Sequence, residues 1–84
     1  MKKIFAANWK LHKTPNETRA FFAAFKEVAK QATGELVFFP SAISLEAAST
    51  SLKGSNIHFG AQNCYSQNHG AFTGENSANV AKEL

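Results

Sequence analysis

Residues 36–39, Leu-Val-Phe-Phe, are apolar at every position and stop at Pro40. A run this short without polar alternation fits a strand covered on both faces, as in a parallel sheet with helices outside it. Such a strand needs helical segments on either side of it in the chain. Upstream, Thr14-Pro15-Asn16-Glu17 carries three helix-start signals: a threonine N-cap, a proline at the first helical position and a glutamate placed to complete a capping box. Phe21, Phe22, Phe25, Val28, Ala29 and Ala32 then recur at helical spacing as an apolar stripe, with Arg19, Lys26, Glu27 and Lys30 on the wet face. Gly34 is expected to stop this helix as a left-handed cap. Downstream, residues 41–52 are rich in alanine and serine, and Ile43, Leu45, Ala48 and Leu52 are loosely periodic. They predict a second helix, broken at Lys53-Gly54-Ser55.

Strands are expected at both ends of this unit. Residues 3–9 read as the first, with Ile4 and Phe5 apolar and Ala6 and Ala7 small enough for close packing. Ile57, Phe59 and Ala61 alternate with His58, Gly60 and Gln62, giving a third strand with one apolar and one mixed face. The order strand, helix, strand, helix, strand is that of an α/β protein. Ser77 reads as an N-cap, and Val80, Ala81 and Leu84 begin a third apolar helical stripe. Three parallel strands with open edges, and a stripe running to the last residue, predict the opening portion of a larger α/β domain, truncated or completed by another chain. Residues 1–84 thus read as one incomplete domain.

Composition narrows the function. With 84 residues the chain holds one small domain at most, and an independent core would be marginal. Cys64 is the one cysteine, so no internal disulfide forms, and a structural zinc would need further ligands near it. His12, His58 and His69 lack the paired spacing of metal sites, so no metal is expected. Cys64 itself reads as a small buried filler in preference to a reactive thiol. The net charge of +3 is mild and spread from Lys2 to Lys82. A small basic module for nucleic acid would need its cations on one face with aromatics among them, whereas the phenylalanines here mostly lie on core stripes. No apolar run approaches a membrane span, and Met1-Lys2-Lys3 is not followed by the apolar stretch of a secretion signal. The chain reads as cytoplasmic, with neither membrane nor nucleic acid as a partner.

The candidate chemistry sits at Ala7-Asn8-Trp9-Lys10. On a strand, Asn8 and Lys10 point one way and Trp9 the other. A directed amide beside a compact cation, with an aromatic back wall, suits an oxyanion or a phosphate ester. On the tetrapeptide alone, a solvated surface lysine outweighs that reading. Residues 64–76 form a connection with two glycines and no sustained period, longer than αβ units need. Tyr65 and Phe72 sit among its polar residues. They fit a partner surface and a self-packed surface loop equally well.

Three motifs carry a resemblance: Ala7-Asn8-Trp9-Lys10-Leu11, Gly60-Ala61-Gln62-Asn63 and Gly70-Ala71-Phe72-Thr73-Gly74-Glu75. In order and spacing the chain resembles the triosephosphate isomerase family along essentially its whole length. The resemblance implies the N-terminal part of a (β/α)₈ barrel: three parallel strands, two helices and the start of a third, with the site at the carboxyl ends of the strands. It implies interconversion of dihydroxyacetone phosphate and glyceraldehyde 3-phosphate through an enediolate, with no cofactor, in glycolysis and gluconeogenesis. Lys10 is then the catalytic cation, and Asn8, Trp9 and Lys10 bind substrate. The resemblance further implies a homodimer. Residues 64–76 would project beside the partner's active site, Gln62, Tyr65, Phe72, Thr73, Gly74 and Glu75 would lie at the interface, and Glu75 would pair with a later basic residue. No histidine here stands in the family's Gly-His-Ser-Glu context, and no glutamate in its Tyr-Glu-Pro context. The isolated chain is therefore expected to be inactive for want of a base. A complementing fragment of a split isomerase is the alternative with the same chemistry.

Overall fold

The structure is a computed structural model and describes residues 3–84. Met1 and Lys2, part of the segment read for a secretion signal, lie outside the described residues. Strand β1 (Ile4–Asn8) leads to helix α1 (Pro15–Ala29), strand β2 (Glu35–Phe39), a 3₁₀ turn (Ala42–Ser44), helix α2 (Leu45–Ser51), strand β3 (Ile57–Phe59) and helix α3 (Ala78–Lys82). The strands form one parallel sheet in the order β1-β2-β3. Each crossover is a helix, as parallel pairing demands.

Helix α1 starts where its capping signals place it. The Thr14 side chain accepts from the Glu17 backbone N–H at 3.1 Å, and the Glu17 carboxylate accepts from the Thr14 N–H at 2.9 Å. The box closes two backbone donors that the first turn would otherwise leave unpaired. These bonds hold the Glu17 carboxyl below its ordinary value, the backbone bond to Thr14 being the largest cause. The helix ends earlier than expected, at Ala29, with Lys30 as a right-handed C-cap. Gly34 is not its left-handed stop. A Cβ there would lie 2.7 Å from the Lys3 carbonyl oxygen and 2.8 Å from the Phe5 ring, so glycine at this position lets the chain enter β2 close against β1.

Strand register assigns the two faces. Ala7 pairs with Phe38 and Phe38 with Phe59, while Asn8 pairs with Phe39. Ala7, Leu36, Phe38, Ile57 and Phe59 face the helices and join Phe22, Ala29, Ala48 and Leu52 in the core. Phe22 is fully buried. The opposite face carries Ala6, Asn8, Val37, Phe39 and His58, and no helix among the described residues covers it. The stripe readings overreach at four positions: Val28 is 62% exposed, Ile43 82%, and, in the third stripe, Val80 and Leu84 are exposed as well. Ile43 falls in the 3₁₀ turn, whose three-residue period rotates it away from the α2 stripe. Strand β3 is also shorter than its alternation suggested, leaving Ala61 and Gln62 beyond its end.

Residues 64–76 hold neither helix nor strand. The loop closes on itself: Tyr65 N–H donates to the Asn76 carbonyl at 2.8 Å, and the Tyr65 and Phe72 rings meet at 4.7 Å. Gly74 has φ +88 and Gly70 φ +131, conformations that favour glycine. Cys64 is exposed and is not the buried filler expected of it. In α3, Ser77 Oγ accepts from Val80 N–H, but Val80 is exposed. The Cα radius of gyration is 13.6 Å, against about 12 Å for a compact domain of this length.

Candidate active site at the carboxyl ends of the strands

All three parallel strands end on one side of the sheet. There, a depression of about 370 Å³ is lined by Ala6, Asn8, Phe39, Ala61 and Gln62. Asn8 closes β1, Phe39 closes β2, and Ala61 and Gln62 follow β3. Gly60 leaves room for the Phe39 ring, since a Cβ there would stand 3.1 Å from it.

Lys10 does not extend β1, so strand alternation does not orient it. It lies past the strand end with φ +54, a left-handed conformation that an L side chain adopts only under restraint. Two side chains lining the depression supply that restraint. Asn8 Oδ1 accepts from the Lys10 backbone N–H at 2.9 Å. Gln62 Nε2 donates to the Lys10 carbonyl at 2.8 Å and to the Phe39 carbonyl at 2.8 Å, using both of its N–H groups. The second of these bonds ties the Lys10 turn to the end of β2. Asn8 Nδ2 donates to no group among the described residues.

Trp9 lies on the other side of the sheet. Its ring stacks on Phe22 at 5.2 Å and meets Phe21 and Phe38 edge to face at 5.2 and 5.7 Å. The aromatic back wall is therefore part of the helix-side core, and Trp9 supports the turn from below. Lys13, absent from the sequence reading of the site, stands over the Trp9 and Phe21 rings. Its only local signal was its place four residues after Trp9 and one before the N-cap. Tyr65, Phe72, Thr73, Gly74 and Glu75 gather on the 64–76 loop, away from the depression. Thr73, Gly74 and Glu75 are exposed, and Glu75 forms no ion pair among the described residues. No group of three histidine, cysteine, aspartate or glutamate side chains among the described residues is placed to hold a metal ion. Among the described residues, no helix is long and apolar enough to cross a membrane.

A parallel sheet with helices on one face, and a lysine turn gripped at the carboxyl ends of its strands, is the architecture of the N-terminal part of a (β/α)₈ barrel. The triosephosphate isomerase family model matches residues 3–84, and the chain belongs to that family. It is 76% identical over 84 residues to a triosephosphate isomerase of Bdellovibrio bacteriovorus, covering 100% of this chain and 35% of that protein. A triosephosphate isomerase of Lactobacillus delbrueckii subsp. bulgaricus is 45% identical over 82 residues, covering 96% of this chain and 32% of its own length. The crystal structure of triosephosphate isomerase from Bartonella henselae superposes with a TM-score of 0.87 at 31% identity, over 99% of this chain and 34% of that one. The chain spans about a third of the length of the curated relatives it matches.

Proposed function

We propose that residues 1–84 are the amino-terminal third of a cytoplasmic, homodimeric triosephosphate isomerase, acting on dihydroxyacetone phosphate and glyceraldehyde 3-phosphate in glycolysis and gluconeogenesis. The observation that carries this reading is the Lys10 turn, clasped by Asn8 and Gln62 where three parallel strands end. Lys10 supplies the cation for the substrate's phosphate and for the oxyanion that develops toward the enediolate. A charge held in place before reaction stabilises the transition state without reorganising. Asn8 contributes the free amide N–H₂ at the same strand end, and Trp9 holds the turn from the core side. The uncovered sheet face and the open edges of β1 and β3 fit a barrel whose remaining strands close against them.

The general base and the electrophile of this reaction belong to later strands. Residues 1–84 alone are accordingly inactive: a well-placed cation cannot abstract a proton. Residues 64–76 dock beside the active site of a second subunit, where Thr73 meets the partner's Asn8 motif, with Gln62, Tyr65, Phe72, Gly74 and Glu75 completing the contact. The decisive experiment is the intact mass of the natural product that contains these residues, paired with an isomerase assay and with Lys10→Met. A mass about three times that of this chain, with activity that Lys10→Met abolishes, is the expected result. An inactive full-length product, or an active Lys10→Met, overturns the reading. The open sheet edges also fit a complementing fragment of a split isomerase, which copurification of a second polypeptide would reveal.

A further inference from the structure

The turn between β1 and α1 contains two non-glycine residues at positive φ, Lys10 at +54 and Lys13 at +72. Between them, Leu11 is 95% exposed and His12 is exposed, so neither packs the turn in place. Lys10 is held at its own amide and carbonyl by Asn8 and Gln62. The far end of the turn is held by Lys13, in two independent ways. Its ammonium stands 5.4 Å from the Trp9 ring centroid and 5.3 Å from that of Phe21, within the range at which a cation is attracted to an aromatic face. Its carbonyl accepts from the hydroxyl of Ser44 at 3.3 Å, a serine 1% exposed and 31 residues away. The His12 N–H to Trp9 carbonyl bond, 3.2 Å, lies between these two anchors.

We infer that Lys13 is a positioning residue for the isomerase reaction: its ammonium over Trp9 and Phe21, and its carbonyl on Ser44, keep the turn in the strained form that presents Lys10. This inference rests on the proposed function. A left-handed L residue relaxes unless its surroundings over-determine it. With Lys13 released, the turn would be held only at its Lys10 end by Asn8 and Gln62, and displacement of a catalytic group by about 1 Å is enough to slow a reaction severely. The role needs a cation, and an arginine should fill it, because a guanidinium also stacks on aromatic faces.

The test uses the full-length protein carrying these residues, assayed in both directions well below its melting temperature. Wild-type activity comes first, and its absence counts against the proposed function and not against Lys13. Given an active wild type, Lys13→Met, which keeps the side chain's length and removes its charge, is expected to lower kcat/KM about tenfold. Lys13→Arg is expected to restore most of it, with circular dichroism unchanged in both. Unchanged kcat/KM in Lys13→Met, or equal losses in Lys13→Met and Lys13→Arg, overturns the inference. Should Lys13→Met fail to fold, Ser44→Ala releases the same turn from its carbonyl side, and an unaltered kcat/KM there overturns it as well.

Discussion

Gly34 shows how much one missing atom can decide at the residue scale. Its neighbours, the Lys3 carbonyl and the Phe5 ring, stand 2.7 and 2.8 Å from where a Cβ would be. The first of these is backbone in the adjoining strand and cannot swing aside. Gly34→Ala is therefore expected to destabilise the folded protein by about 1–3 kcal/mol through overpacking, read as a lower midpoint in urea at unchanged slope. An unaltered midpoint would mean that β1 yields to the methyl. Lys10, Gln62 and Asn8 form a second residue-scale device. The two side chains that line the depression also hold the backbone N–H and carbonyl of the lysine, so the shape of the cavity and the Lys10 backbone are coupled.

Helix α1 is the element on which the packing rests. Phe22 and Ala29 bury one face of it, and Phe21 and Phe25 extend the ring cluster around Phe38. Its start is specified by the Thr14–Glu17 box, and Thr14→Ala is expected to remove about 1 kcal/mol of stability, measured by thermal unfolding. The same box makes the helix sensitive to acid. The Glu17 carboxyl sits below its ordinary value of 4.5 in the folded state. Its contribution is fully present above that value and is lost as pH falls through the lowered folded value. Melting curves taken on descending through this window should fall more steeply for the wild type than for Glu17→Gln. Parallel curves would remove the carboxylate from the account of α1.

For the whole molecule, the sheet has one covered and one uncovered face, and a loop that packs its own aromatics while presenting Thr73, Gly74 and Glu75 to solvent. The Tyr65–Asn76 bond and the Tyr65–Phe72 contact close the loop on itself, which would lower the entropy lost in the proposed docking. In the proposed homodimeric isomerase, Thr73→Arg is expected to weaken the dimer and reduce turnover together, because the longer charged side chain would meet the partner's Asn8 region. Sedimentation at low concentration checks it, and an unchanged dimer mass would sink the docking proposal.

Element types and order were legible in the residues because their signals are local. The capping box lies within four positions, and the all-apolar 36–39 run and the break at Gly54 (φ +78) likewise need no distant partner. The family resemblance that the Asn8–Lys10 motif helps to carry was legible as well. Periodicity, however, reports only which side of a segment is apolar, not whether anything covers it. For that reason the apolar stripes include Val28, Ile43, Val80 and Leu84, which the fold leaves exposed, and Cys64 does not enter the core. The arrangement that makes Lys10 distinctive joins residues 52 apart through Gln62, and the turn beyond it joins residues 31 apart through Ser44. Only tertiary structure decides such contacts, because they depend on parallel strand register bringing the ends of β1, β2 and β3 together. Gly34 likewise changes from a helix stop to a close strand approach once β1 is beside it.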